Sequence, residues 1–545
     1  MTWNGRRSRE LAGRKCPDPG VEYEIGVTHA STATGSRGAH PTVILAMLLM
    51  VSRMMGFVRS QVMAALFGAT GQTDAFIVAT SVATLVTAFT GPVTMTFLPV
   101  YAAALGKGEA RAASKVASET ITLVSGFMMI ACAGLTAFAP QLTRLMAPGF
   151  GDDTYVYANS LVRIMLAAMV LPLLASFAKS ILNTRRQFVV PAVADIVENI
   201  VVVLVLVWLA SSMGVIALGI ASSAGFLILF IIQYLALKKV RSWPPLEVGF
   251  GPETRKVFIL ALPLMGSWVF SGLHRFVDKA LASGLGEGSM AVLEYAERIR
   301  GLPMGVLVAA VTTVMAPSLS RFWGRGDARS FASLVEDNLR SVEFVCIPIA
   351  AGMMVLAQPV VRLAFERGAF TAEATQATAA ALVAYAPGLA AMAAIRVCLS
   401  AFISSQKTGL QVLVGICSSL LNVGLNLAFV IPFGHVGLAL ASTVSGFLTL
   451  AASFMLLRRD YGRYLSFRSL GASMARMLVA ATVMAGVAIR LSEMTGLSAG
   501  TGDVLRDLLL LVAVSLASAV LYFVLAAMLG CDEGLKLVGR SGKRK

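Results

Sequence analysis

"VILAMLLMVSRMMGFVRSQVMAALFG", residues 43–68, decides the fold class. About 20 apolar residues in helical form cross the ~30 Å hydrocarbon core of a bilayer. This stretch has that length, yet it carries two arginines, Arg53 and Arg59, near its middle. Apolar runs of the same kind recur to the end of the 545-residue chain, which is 57% hydrophobic and only 14% charged, with a mean hydropathy of +0.78. Ordinary soluble domains carry roughly 25% charged residues. In lipid the backbone must satisfy itself, so spans are helices or closed barrels. Continuous rather than alternating apolar runs select helices. The sequence therefore reads as an all-α polytopic membrane protein.

Fourteen spans are expected, at 43–67, 73–103, 116–138, 156–183, 189–211, 214–237, 256–283, 289–320, 338–358, 372–405, 410–431, 436–457, 471–490 and 504–529. The net charge of +16 is spread through short loops and does not form a basic domain, so nucleic acid is not the expected partner. With the N-terminus in the cytoplasm, about 30 of the 45 Lys and Arg fall on the inner side and about five on the outer, the bias that the positive-inside rule requires. Both termini are then cytoplasmic. Residues 1–41 are polar, lack apolar periodicity and read as a disordered tail or a misplaced start; 531–545 read as a basic tail. The six cysteines show no paired or metal spacing and read as small apolar residues.

"GVIALGIASSAGFLILFIIQYLALKKV" (214–240) aligns without a gap on "GHVGLALASTVSGFLTLAASFMLLRRD" (434–460). The copies are the sixth and twelfth spans, an even offset of six, so both face the same way. Two six-helix lobes, 42–240 and 241–460, are expected about an axis along the membrane normal. Residues 461–530 add two further helices.

A charge near the bilayer centre costs at least ~2.5–3.5 kcal/mol on insertion scales. Snorkelling to the headgroups accounts for Arg163, Lys179, Arg340 and Arg300 near span ends. It does not account for Arg53 and Arg59, for Arg275, Asp278 and Lys279 in "SGLHRFVDKALASGLG", or for Glu297 and Arg298 in "YAERIRGLP". Arg53 and Arg59 lie about 9 Å apart along a helix and roughly 120° around it, so convergence needs a bend, which Gly56 would allow. Guanidinium stays charged and grips phosphate oxygens two at a time. Arg53, Arg59 and Arg298 on one cavity would form an anion site with Asp74 as counter-charge. The competing reading is a set of interhelical ion pairs: Asp74 with Arg53 or Arg59, and Arg298 with Glu297 or Glu294. A weaker constellation is Asn422 and Asn426, at i and i+4, with Asp278 and Ser442. Such oxygens suit a hard cation such as Na⁺, or they serve as ordinary hydrogen bonds between helices. No nucleotide-binding G-x-x-x-x-G-K-S/T, metal motif or nucleophile–base set is present in the sequence. The reading is a secondary transporter driven by Na⁺, H⁺ or membrane potential, not an enzyme, and no organic cofactor is expected.

"SRMMGFVRSQVMAALFGATGQTDAFIVA" (52–79), "APGF" (147–150), "ILNTRRQFVVPA" (181–192), "VDKALASGLGEGSMAVLEYAERIRGLPMGVL" (277–307), "APSLSRF" (316–322) and "FERGAFT" (365–371) resemble the MurJ/MviN lipid II flippases of the multidrug/oligosaccharidyl-lipid/polysaccharide exporter superfamily. The S-R-x-x-G-F-x-R opening and the Y-A-D/E-R-x-x-x-x-P stretch carry most of the likeness. The resemblance implies a cationic central cavity and a bacterial inner-membrane location. It also implies outward flipping of an undecaprenyl-diphosphate-linked glycopeptide, a monomer among membrane lipids, and a lipid-tail groove on the last two helices. It maps the cavity arginines onto Arg53, Arg59 and Arg298, the early acid onto Asp74, and a cation site onto Asp278, Asn422, Asn426 and Ser442. Two departures stand out. Ser60 replaces an acid, and the second span has Val86 or Thr87 where an arginine is expected; Lys179, Arg275 or Lys279 are the candidates to compensate. Alternatives are export of another polyprenyl-diphosphate-linked oligosaccharide, cation-coupled export of drugs or metabolites, or a non-transporting scaffold.

Overall fold

A computed structural model describes residues 41–239, 243–500, 502–531 and 533. The 1–40 tail and most of the basic C-terminal tail lie outside the described residues. The described residues from Leu45 onward form one compact unit; those before it, 41–44, belong to the first turn of the first helix. The described residues form seventeen helical segments. The first eight are α1 (Pro41–Phe67), α2 (Gly71–Gly106), α3 (Ala110–Ala137), α4 (Ala139–Met146), α5 (Asp152–Ala168), α6 (Val170–Thr184), α7 (Val189–Met213) and α8 (Ile216–Lys239). The others are α9 (Pro252–Ser283), α10 (Ser289–Gly324), α11 (Ala328–Val355), α12 (Ala357–Phe365), α13 (Ala372–Tyr385), α14 (Gly388–Ser404), α15 (Thr408–Tyr461), α16 (Phe467–Met494) and α17 (Val504–Met528).

The repeat seen between 214–240 and 434–460 extends through the element order. The 36-residue α2 returns as the 36-residue α10, and the 28-residue α3 as the 28-residue α11. Each 28-residue helix is followed by a short one, α4 or α12, that the span list had not foreseen. Two expected spans, 156–183 and 372–405, are each two helices. They meet at Met169 and at Ala386–Pro387, and the second pair is bent by 42°. The α7–α8 junction is Gly214 (φ 53°, ψ −137°), and its counterpart Gly434 (φ 55°, ψ −134°) breaks α15 into the two expected spans. Only glycine occupies that backbone region readily, which explains why both copies keep it.

Ten described helices are long and apolar enough to cross a membrane, or eleven with the bent pair as one span. That count takes α15 as a single 53-residue stretch and does not include α9 and α10, the two helices that hold most of the charges flagged above. Four described cysteines, Cys132, Cys346, Cys398 and Cys531, are buried as expected; Cys417 is exposed instead. Large apolar side chains on α7, α15, α16 and α17 are exposed, as lipid-facing helices require. Gly434→Ala places a Cβ in a glycine-only conformation and is expected to cost about 1–3 kcal/mol. Gly424→Ala, in an ordinary helical position with open space around it, is expected to leave stability level or to raise it slightly. Thermal unfolding of the two variants in detergent checks the contrast.

Candidate functional site

α1 runs unbroken through Gly56, so the bend that would have aligned the two arginines is not used. Arg53 and Arg59 diverge as an ordinary helix dictates. Arg53 is exposed to a groove of about 640 Å³ between α1 and α10, which Glu294, Glu297 and Arg298 also line. Arg59 turns to α8 and donates from Nη2 to Ser222 Oγ at 2.9 Å. Its charged neighbours are Glu198 of α7 and Arg298 of α10. Gly56 packs near Asn199, at a distance where an added Cβ would make ordinary contact.

A second cavity, about 300 Å³, lies between α2, α9, α10, α13 and α15. Arg275, Lys279 and Arg298 line it, as do Asp278, Glu294 and Glu297. Glu294, Glu297 and Arg298 belong to both cavities, so α10 is the wall they share. Glu294 holds two cations at once: Lys279 Nζ at 3.2 Å and Arg298 Nε at 3.3 Å. The Arg298 side chain remains 51% exposed and keeps donors free, because a guanidinium has five and Glu294 engages only its Nε edge. Among the described residues no ion pair forms at Arg53 or Arg275. Of the candidates to replace the missing second-span arginine, Arg275 and Lys279 reach the cavity. Lys179 does not: it pairs with Asp195 of α7 at 2.9 Å. Thr87 bonds to its own helix at Thr84 O, and Val86 is buried.

Arg300 corrects the expectation that it snorkels to the headgroups. It is buried, donates to Glu297 Oε1 at 3.0 Å and stacks over the Tyr385 ring at 4.6 Å. Glu297 is thus committed to Arg300, and Arg298 to Glu294. Arg340 likewise binds Glu336 and Ser469 rather than reaching for headgroups, while Arg163 is exposed as expected.

Asp74 is also placed differently from the expected arginine partner. It is 1% exposed, and its carboxylate accepts the backbone N–H of Gly288 at 2.7 Å and of Ala291 at 2.8 Å. These are the first orphan donors of α10, so α2 caps α10 in trans, where an anion is favoured by the helix dipole. No ion pair links Asp74 to Arg53 or Arg59 among the described residues. The cap sits in a seam of backbone contacts. A Cβ at Gly288 would overlap the Ala69 carbonyl, one at Gly68 the Ala369 carbonyl, one at Gly368 the Ala65 carbonyl, and one at Gly149 the Ser283 carbonyl. Ala369 N donates to Ala65 O at 2.8 Å across the same seam.

The weaker constellation comes together. Asn426 Nδ2 donates to Asp278 Oδ1 and, at 2.8 Å, to Asn422 Oδ1; Asn422 Nδ2 lies 3.5 Å from Ser442 Oγ. His274 Nε2, one turn before Asp278, stands 3.4 Å from Asp278 Oδ2. Asn426 Oδ1 is buried without a hydrogen-bond partner. Sequence reasoning passed over His274 of this network, and also Asp195 and Glu198 of α7, which stand beside Lys179 and Arg59. Each lay in plain view as a charge three or four positions from another charge inside an apolar run, the spacing that places two side chains on one helix face.

The family model described as "Lipid II flippase MurJ" matches residues 63–524. The chain belongs to the MurJ family. Among curated MurJ relatives, a probable lipid II flippase MurJ of Rhizobium tropici is 28% identical over 516 residues, covering 91% of this chain and 94% of its own. The lipid II flippase MurJ of Burkholderia cenocepacia is 27% identical over 423 residues, covering 75% and 82%. A solved lipid II flippase MurJ in an inward closed conformation shares the fold at TM-score 0.72 and 22% identity, over 88% of this chain and 99% of that one. An inward-facing MATE family transporter of the MOP superfamily does so at 0.66 and 15%, over 77% and 98%. The MurJ assignment rests on the family match; the solved structures add the fold.

Asp74→Ala strands two buried N–H groups and removes the α10 cap. A loss of about 2–3 kcal/mol is expected, since an unmade buried hydrogen bond costs about 1–3 kcal/mol. Asp74→Asn, which can still accept one bond, is expected to lose less. Thermal unfolding of both variants in detergent measures the difference.

Proposed function

We propose that the protein carries lipid II from the cytoplasmic to the outer leaflet of a bacterial inner membrane by alternating access. The observation that carries this reading is the family match over 63–524 together with Arg298 on the wall shared by two cavities. The chain spans the membrane fourteen times, with α9, α10 and both parts of α15 counted as spans, and acts as a monomer with both termini in the cytoplasm. Lobes 42–240 and 241–460 rock about the cavity, and the last two helices, within 461–530, add surface for the lipid tail.

The diphosphate binds Arg53, Arg59 and Arg298, with Arg275 and Lys279 supplementing them. Guanidinium groups meet phosphate oxygens in pairs, and each charge-assisted bond is worth about 1.5–3 kcal/mol. Before the ligand arrives, Glu294 holds Lys279 and Arg298 in place and keeps their charge affordable in a low-dielectric site. The incoming diphosphate competes with it for the same donors. Loss of an arginine from the second span leaves one phosphate ligand fewer, and that favours, as a second reading, a different polyprenyl-diphosphate-linked sugar as cargo.

A coupling cation fits the second constellation. Asp278 supplies charge, and Asn422, Asn426 and Ser442 supply neutral oxygens, the donor set a hard monovalent ion takes. The unpartnered Asn426 Oδ1 supports the fit. A Na⁺ bound there would stabilise the lobe that holds it.

Arg59→Ala and Arg298→Ala are each expected to lower flipping of lipid II in proteoliposomes at least ten-fold while the protein still folds and inserts, and neither is expected to support growth when an authentic flippase is depleted. Full activity of either variant rejects the headgroup site. Failure of the wild-type chain to restore growth rejects lipid II as cargo. Na⁺ is expected to raise the unfolding temperature of the wild type and to leave Asn426→Ala unmoved. Equal shifts in both proteins reject the cation site.

A further inference from the structure

Beside the 300 Å³ cavity lies a slot of about 690 Å³ with almost wholly apolar walls. It opens between α2, α3 and α4. Its floor is Val82 and Val86, both buried, and its rims are Phe89, Phe127 and Leu145, all exposed. Leu85 of α2 and Phe276 of α9 line both the slot and the cavity. The charged chamber with Arg275, Lys279 and Arg298 is therefore parted from the apolar slot by these two side chains.

We infer that this slot seats the polyprenyl chain next to its diphosphate while the headgroup occupies the cavity. The inference rests on the proposed headgroup site and adds where the tail leaves it. Three observations argue for one occupant, a long isoprenoid joined to an anion. The two compartments lie back to back, sharing Leu85 and Phe276 as a common wall, and their linings match the two ends of such an amphiphile. The tail surface expected on α16 and α17 contributes no residue to the lining of either cavity, so the links nearest the phosphate need another seat. The slot also lies beside α4 and the outer half of α3, the membrane half that the charge bias puts outside. It thus suits the stage at which the carried lipid regains the outer leaflet.

The physical gain is positional. Lipid tails are already as apolar as leucine, so moving an isoprenoid from bilayer to slot releases little hydrophobic free energy. What the slot supplies is a fixed direction for the bond between head and tail, which keeps the chain in lipid while the head stays in water. Blocking it should slow transport without weakening the grip on the head.

The test uses the full-length protein in proteoliposomes. Ala131→Trp and Gly134→Trp project bulk into the slot, and around Gly134 there is open space for it. Both are expected to cut flipping of undecaprenyl-linked lipid II at least ten-fold. Both are expected to bind a water-soluble headgroup diphosphate, capped with methyl instead of polyprenyl, as the wild type does. Wild-type flipping by the tryptophan variants overturns the slot, as does equal loss of flipping and of headgroup binding. Arg298→Ala separates the two proposals: if it binds the capped headgroup normally, the headgroup reading fails, whatever the slot does. A second measurement does not depend on how the variants fold. A lipid II analogue with a photoreactive diazirine on the isoprene unit nearest the diphosphate is expected to label α2, α3 or α4 of the wild type. Labelling confined to α16 and α17 overturns the inference.

Discussion

One constraint governs the interior: a cation can sit in a membrane cavity only if something neutralises it there, yet a fully neutralised cation cannot bind. Glu294 resolves the conflict by serving two cations, Lys279 and Arg298, with one carboxylate. Its two oxygens each meet one cation, and both Lys279 and Arg298 line the cavity. The adjacent Glu297 is held by Arg300, itself stacked on Tyr385, so it does not compete for Arg298. Consecutive positions on α10 thus alternate between a pair that is poised and a pair that is closed. The first leaves Arg298 partly exposed on the cavity wall, and the second ties the helix that presents it to Tyr385.

Much of this was legible in the sequence. Continuous apolar runs settled the fold class, because lipid forbids an unsatisfied backbone. The mid-span positions of Arg53, Arg298 and Asp278 marked them as charges that need a polar surrounding, and each lines a cavity; the i, i+4 pair of Asn422 and Asn426 pointed at Asp278, which Asn426 does contact. The repeat showed in only one helix pair at the level of identity, but it governs element lengths throughout, because a helix's length is held by the bilayer while its residues drift. Other features were not legible. Asp74 reads as a counter-charge because a carboxylate inside a span looks like a partner for arginine. That it satisfies the N-terminus of a helix more than 200 positions away is a fact of tertiary packing that no local pattern records. Arg300 near a span end looks like a snorkelling side chain until Tyr385 is seen to lie beneath it. The divergence of Arg53 and Arg59 was present in the helical geometry from the start; the expected bend at Gly56 had overridden it.

The two halves contribute unequally to the chemistry. The second supplies Arg275, Asp278, Lys279, Glu294 and Arg298, together with the asparagine pair. The first supplies Arg53 and Arg59, the polar face of α2 and the apolar walls beside it. Matched helix lengths give the two halves a similar frame, on which the second carries most of the cavity charge and the first the apolar slot.

The seam around Asp74 has a consequence for how such a frame shuts. At Gly68, Gly149, Gly288 and Gly368 one half meets the other as bare main chain against carbonyl, with no side chain between them. A joint of that kind has no rotamers to freeze when it engages and none to release when it parts, so the entropy that usually opposes docking two surfaces is largely absent there. What it costs to part such a joint is then set by its hydrogen bonds, those of Asp74 to Gly288 and Ala291 and of Ala369 to Ala65, and not by the ordering of side chains.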